Sequence, residues 1–239
     1  MPISKAQIKR LKALHQAKFR QAEQMFLVEG KKGVEEALAS QWEVKFLYST
    51  DEQWVKVQPN AECITSVEME QISALNSPSE HLACVTMKTF ESPQWTEKTL
   101  YLDGIRDPGN LGTIIRSADW FGWRQVVLSK DCVDFTNPKV VQSTMGSLFH
   151  VSIFIDQEEK FLLNARQQDM AIWGADLKGE ELKNTHPTDN AILVIGSESH
   201  GIRPSTAQWV QNRVTISSKG EAESLNAAIA TSIILYQWS

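Results

Sequence analysis

One stretch constrains this chain more than any other. Leu102-Asp103-Gly104-Ile105-Arg106-Asp107-Pro108-Gly109-Asn110-Leu111-Gly112 runs into Thr113-Ile114-Ile115-Arg116-Ser117-Ala118 and sets polar residues at the mouth of an apolar helix. Thr99 to Leu102 is a short apolar run of strand type, and Asp107-Pro108-Gly109-Asn110 is dense in turn formers. From Leu111 the period becomes helical, with Leu111, Ile114, Ile115, Ala118, Phe121 and Gly122 on one stripe and Thr113, Arg116 and Trp120 at its border. The segment therefore predicts strand, sharp turn and helix, with Asn110 as the N-cap and Arg116 off the core face. Alone it reads as an ordinary capped helix with a surface arginine.

Two further segments add to it. Ala191-Ile192-Leu193-Val194-Ile195 is a continuous apolar strand of the kind found in parallel sheets covered on both faces, and it ends in Gly196-Ser197-Glu198-Ser199-His200-Gly201. Ligands of open α/β sheets sit beyond the carboxyl ends of strands, so this small polar loop is either a site or a tight turn with Glu198 solvated. The third segment, Val214 to Asn226, leads into an apolar helix from Ala227 through Trp238. Ser224 reads as its N-cap, the helix reads as largely buried, and a buried Asn226 would require hydrogen-bond partners.

Taken in this order and spacing, the three segments resemble the signature motifs of the SpoU (TrmH-type) branch of SPOUT RNA 2′-O-ribose methyltransferases. Asp103, Asp107 to Asn110, Gly112, Arg116, Ala118 and Gly122 fit the first motif; Gly196-Ser197-Glu198 with Gly201 fits the second; Ser224-Leu225-Asn226 fits the third. The resemblance implies an α/β fold whose carboxy-terminal domain, residues 97–239, is a parallel-sheet SPOUT domain with a trefoil knot. Phe26 to Leu38 is similar to the start of an L30e-like α/β domain, which implies a small substrate-binding domain over residues 1–92. Strands are expected at Glu43 to Tyr48, Ala61 to Thr65 and Leu82 to Met87, helices at Lys31 to Ser40 and Val67 to Ser73, and the boundary at Glu91 to Thr96.

Composition sets further bounds. A chain of 239 residues with 42% hydrophobic content can fill two modest cores. No apolar run is long enough to cross a bilayer, and the start lacks a secretory signal's apolar centre, so a cytoplasmic protein is expected. Cys63, Cys84 and Cys132 have no paired spacing and are expected as reduced core residues; His15, His81, His150, His186 and His200 form no cluster, so no metal is expected. The net charge is −5, yet residues 1–34 carry eight basic side chains against two acidic ones, a net +6 that leaves −11 on the remainder. Such a basic front suits contact with a polyphosphate, at Lys5, Lys9, Arg10, Lys12, Lys31 and Lys32, and equally describes a solvated amphipathic helix with Ile8, Leu11, Leu14 and His15 inward.

The resemblance assigns the chemistry to Asn110, Arg116, Glu198, Ser224 and Asn226, and S-adenosylmethionine to Gly196, Ser197, Glu198, Gly201, Ile216, Ser224, Leu225 and Asn226. Methyl transfer to a hydroxyl requires alignment and loss of a proton. Arginine is effectively always protonated, so Arg116 is expected to act by charge on the RNA phosphate or the nascent alkoxide, with deprotonation completed by phosphate, water or Arg116 itself. Asn110 would orient Arg116 or the ribose, and Glu198 would order the same network as an acceptor. Ser217 and Ser218 stand where members have a proline and an apolar residue, Gln142 where arginine is common, and Thr144 where serine is. Ribosomal RNA is the expected substrate, with transfer RNA or a non-catalytic RNA-binding or assembly factor as alternatives, and a homodimer is implied. There is no G-x-G-x-x-G, no G-x-x-x-x-G-K-[ST] and no G-x-S-x-G, which argues against dinucleotide, P-loop and serine-hydrolase readings.

Overall fold

The computed structural model describes residues 3–88, 90 and 92–239. Glu91, the first residue of the expected boundary, lies outside them. In chain order the elements are α1 (Lys5–Ala13), α2 (Ala17–Glu23), β1 (Met25–Glu29), α3 (Lys31–Ala39), β2 (Val44–Ser49), α4 (Glu52–Val57), β3 (Ala61–Cys63), α5 (Ser66–Ile72) and β4 (His81–Thr86). There follow β5 (Thr99–Asp103), α6 (Pro108–Trp120), β6 (Gln125–Ser129), α7 (Pro138–Thr144), β7 (Ser152–Asp156), α8 (Phe161–Gln167), β8 (Ala171–Glu181), β9 (Ala191–Gly196), α9 (Pro204–Ala207), β10 (Asn212–Thr215) and α10 (Ala227–Trp238). They form two compact units, one of Met1–Thr89 with Asp134–Phe149 and one of Phe90–Val133 with His150–Ser239.

The first unit is a small α/β fold on a four-stranded sheet of order β1-β4-β2-β3, in which β4 runs antiparallel to both neighbours and β3 is parallel to β2. Leu11 and Leu14 point inward with Met25, Leu27, Met69, Ile72 and Leu82, and the Nε2 atom of His15 lies 2.9 Å from the Ile72 carbonyl oxygen, as the amphipathic reading requires. Both helical candidates and all three strand candidates of this region form, within a residue or two of the expected limits. Thr65 and Glu68 close a capping box on α5, each satisfying a backbone N–H of the other's residue. Asp134–Phe149, which lies beyond β6 in sequence, packs here and not with the second sheet. Arg20 shows why: although counted with the basic front, it is 2% exposed, pairs with Asp134 at 2.6 Å, and donates to the Thr136 hydroxyl and to the Leu14 and His15 carbonyls. A buried guanidinium is tolerable only when it is paired and bonded in this way.

The second unit is a six-stranded, wholly parallel sheet of order β10-β8-β9-β5-β6-β7. The five residues of β5 are buried, as are the first five of β9, which explains their uninterrupted apolar sequence. On one side of the β9/β5 pair lie β8 and β10, on the other β6 and β7, so the loops after β5 and β9 leave neighbouring strand ends. Trp123, Trp173 and Trp238, remote in sequence, meet in a cluster: Trp238 stacks near Trp123 at 6.3 Å and meets Trp173 edge-on at 5.5 Å. The Trp238 indole donates to Thr185 Oγ1, and Lys98 Nζ donates to the Trp238 carbonyl. No helix among the described residues is long and apolar enough to cross a membrane.

Several local expectations need correction. Asp107, not Asn110, caps α6: its Oδ1 accepts from the Asn110 N–H at 2.8 Å, and Pro108 takes the first helical position, where its missing N–H costs nothing. Asn226, not Ser224, caps α10 by accepting from Ala228 and Ile229. Asn226 is exposed, not buried. Helix α10 is buried on one face only, through Ala227, Ala228, Thr231, Ile234, Leu235 and Trp238, while Ile229, Ile233 and Tyr236 stay in solvent at a four- and three-residue spacing. Gly122 is exposed and Trp120 is 83% exposed. Cys84 is in the core, where burial pushes its thiol up to about 12, but Cys63 is on the surface.

Candidate active site

The loop after β9 is built by two glycines. Gly196 lies so close to the loop's return that a Cβ would stand 2.1 Å from the Gly201 carbonyl carbon and 2.3 Å from its oxygen, which no side chain survives. Gly201 adopts φ +64°, a conformation cheap only for glycine among ordinary residues. The turn is closed by Ser197 N–H to Gly201 O at 3.1 Å and Gly201 N–H to Ser197 O at 2.8 Å. Glu198 is thereby held at the tip of a ring whose backbone cannot slide.

Three of the expected residues then meet in one chain of hydrogen bonds. The Asn226 Oδ1 is committed to the first N–H groups of α10, so its Nδ2 must face away, and it donates to Asn110 Oδ1 at 2.9 Å. That fixes the Asn110 amide in turn, and its Nδ2 donates to Glu198 Oε1. The helix start thus dictates the orientation of two side-chain amides and presents the Glu198 carboxylate purely as an acceptor. Motif residues 88 and 116 positions from Asn110 in sequence share one network.

Beside this network lies a cleft of about 710 Å³, within the range of small-molecule sites. Gly196, Ser197, Glu198, Gly201, Ile216, Ser224 and Leu225 all line it; Asn226 does not. Its apolar wall adds Ile195, Ile202, Val214 and Ala227, and polar residues of the loops, Ser197, Glu198 and Ser224 among them, share the lining. Ser217 donates to Glu181 Oε1 at 2.9 Å and Ser218 to the Gly220 carbonyl at 3.0 Å, so the two hydroxyls tie the loop where the resemblance leads one to expect proline. A cleft with an apolar wall and polar loop residues at its edge fits an adenosyl moiety.

Arg116 is not part of the chain. It follows Asn110 by six positions on α6, about 9 Å along the axis and some 120° around it. It is exposed and, among the described residues, forms no hydrogen bond or ion pair, which leaves its guanidinium available to a ligand. Sequence reasoning also missed Arg203. Its signal was Asp103, an acid ending an otherwise apolar strand: Asp103 is 0% exposed and must have a cation, and Arg203 supplies it. The neighbouring carboxylates, Asp103 first, raise the Arg203 guanidinium above its ordinary value. In the first unit, Lys5, Lys9 and Lys12 share one exposed face of α1, and Lys31 and Lys32 occupy the exposed first turn of α3. Arg10 differs, since it pairs with Glu23 at 2.5 Å and lies over the Phe46 ring.

The fold is that of the SPOUT methyltransferases, as its match to solved TrmH-family and SpoU methyltransferase structures shows. Residues 97–236 match the SpoU rRNA Methylase family and residues 5–83 match the MRM3-like substrate binding domain. The chain belongs to the SpoU rRNA methylase family. It is 30% identical over 96% of its length, and 94% of the relative's, to the 23S rRNA (guanosine(2553)-2′-O)-methyltransferase RlmP of Bacillus subtilis. Among solved structures, a TrmH-family protein from Porphyromonas gingivalis superposes with TM-score 0.90 at 37% identity, covering 99% of this chain and 98% of its own. The AdoMet complex of AviRb from Streptomyces viridochromogenes superposes with TM-score 0.86 at 26% identity, covering 98% and 97%.

Proposed function

We propose that this protein transfers a methyl group from S-adenosylmethionine to a ribose 2′-hydroxyl of ribosomal RNA. The observation that carries this reading is the Asn226–Asn110–Glu198 chain, which joins all three motifs beside a cleft lined by the second and third motif loops. When bound, S-adenosylmethionine supplies an electrophilic methyl carbon. Ile216, Leu225 and the backbone around Gly196 and Gly201 would hold the adenosyl moiety, with Ser197 and Ser224 beside it and Asn226 fixing the loop from the start of α10. Asn110 and Glu198 orient the ribose. Arg116 acts by charge, favouring the deprotonated hydroxyl through the phosphate or the oxygen itself.

Ribosomal over transfer RNA is supported by coverage. The Bacillus relative named for 23S rRNA spans both units, with 96% of this chain and 94% of its own length covered. We assign RNA contact to Lys5, Lys9, Arg10, Lys12, Lys31 and Lys32, functional domains to residues 1–92 and 97–239, and a trefoil knot to the latter. A homodimer is supported by the apolar residues Trp120, Ile229, Ile233 and Tyr236 left in solvent on α6 and α10. A cytoplasmic location accords with ribosomal RNA as substrate.

The test is methylation of ribosomal RNA with labelled cofactor, followed by mapping of 2′-O-methylation in cells with and without the gene. Label at one ribosomal ribose is the expected result. Cofactor binding without label on any RNA would favour the non-catalytic assembly factor.

A further inference from the structure

The loop that carries Glu198 has two ends, and one residue holds both. Gly196, where the loop begins, is the register partner of Asp103 across the β5/β9 ladder. Arg203, where it ends, binds the Asp103 carboxylate three times: its backbone N–H to Oδ2 at 2.8 Å, and Nε and Nη2 to Oδ1 at 2.7 and 2.6 Å. The remaining guanidinium nitrogen reaches Asp131 at 2.5 Å and Glu159 at 3.3 Å, and Lys130 meets Glu159 at 3.0 Å. Asp103 also opens the turn that leads to Asn110, so the two halves of the Asn110–Glu198 contact spring from opposite sides of this one ion pair.

Stability alone gives little reason to keep such a pair. A buried ion pair is replaceable by apolar residues of similar volume with little or no loss, but apolar residues cannot fix an angle. A guanidinium fork on a carboxylate fixes both distance and direction. Here Asp103 Oδ1 takes both arms of the fork while Oδ2 accepts the backbone N–H of Arg203, directly after the loop.

We infer that Arg203, clasped by buried Asp103, is a positioning residue that sets the Gly196–Ile202 loop in its cofactor-binding shape and aims Glu198 at Asn110. Arg203 does not line the cleft; it acts through the loop. The inference rests on the proposed reading of the cleft as the S-adenosylmethionine site.

The test is the double variant Asp103→Leu with Arg203→Met, beside Arg203→Lys, each measured by thermal unfolding and by calorimetric titration with S-adenosylmethionine. The double variant removes both charges and leaves apolar volume, so its unfolding temperature stays within a few degrees of wild type while its Kd rises tenfold or more. Arg203→Lys keeps the charge but loses the fork, and its Kd rises at least threefold. With saturating cofactor, kcat stays below wild type in both, because Glu198 is no longer aimed at Asn110. A folded double variant with wild-type cofactor affinity overturns the inference; should it fail to fold, an unchanged Kd in Arg203→Lys does so. Failure of the wild-type protein itself to bind S-adenosylmethionine would instead overturn the reading of the cleft.

Discussion

Substitution of Asn226 separates the two duties of one side chain. Its Oδ1 caps α10 and its Nδ2 orients Asn110. Asn226→Ala removes both. The lost cap costs about 1 kcal/mol, a fall of roughly 2–4 °C in Tm for a chain of this size. Asn226→Asp keeps the cap, and a carboxylate at the positive end of α10 gains about 0.3–1 kcal/mol, which offsets the roughly 0.5–1.5 kcal/mol of the bond to Asn110. Its stability therefore stays within about 0.5 kcal/mol of wild type by the same balance. Its chemistry does not. Two oxygens now face each other, the Asn110 amide must turn to donate to the new carboxylate, and its own oxygen then meets the Glu198 carboxylate. A misaligned network that loses about 1.4 kcal/mol of transition-state stabilisation slows the reaction about tenfold. Single-turnover methylation beside thermal unfolding resolves the two effects. An Asn226→Asp enzyme as stable as wild type and equally fast would refute the orienting role.

Other outcomes follow from the same geometry. Gly196→Ala drives a Cβ into the backbone of Gly201 and Ile202, so calorimetry should find no cofactor binding; retained affinity would mean the loop is not the binding wall. Arg116→Ala, on an exposed and unpaired side chain, should bind S-adenosylmethionine as wild type does while methylation falls a hundredfold or more; full turnover would remove Arg116 from the mechanism. Trp120→Asp with Ile233→Asp should halve the mass seen by light scattering, and an unaltered dimer would place the interface elsewhere. Burial holds the His81 imidazole below its ordinary 6.5, so the unfolded chain takes up the proton first as pH falls. The His81 contribution is complete above about pH 6.5 and declines below it, and His81→Gln should abolish that part of the slope in denaturant midpoints between about pH 5 and 7.5.

What the chain reveals on paper depends on whether a signal is local. Ala227 to Trp238 reads as a helix with the limits it has, and Ala191 to Ile195 as a buried strand, because period and apolar run are properties of neighbours. The caps differ from expectation by three positions at α6 and two at α10, since Asp, Asn and Ser are all good caps and backbone geometry chooses among them. The exposed face of α10 is illegible for a different reason. Ile229, Ile233 and Tyr236 are as apolar as the buried residues, and period alone does not say which side of an all-apolar helix meets protein. Nor does any local pattern assign Asp134–Phe149 to the first unit; that follows from Arg20 needing Asp134, a pair 114 positions apart. Of the site, the motif residues are visible as motifs, but the direction of the amide chain and the Asp103–Arg203 clasp exist only once β5 and β9 lie side by side.

The tryptophan cluster makes the carboxy-terminal helix optically conspicuous. Trp123 and Trp173 sit on the sheet side and Trp238 on α10, so the three indoles share an environment only after that helix has docked. Near-ultraviolet dichroism of coupled indoles would therefore time the arrival of the chain's last segment during refolding.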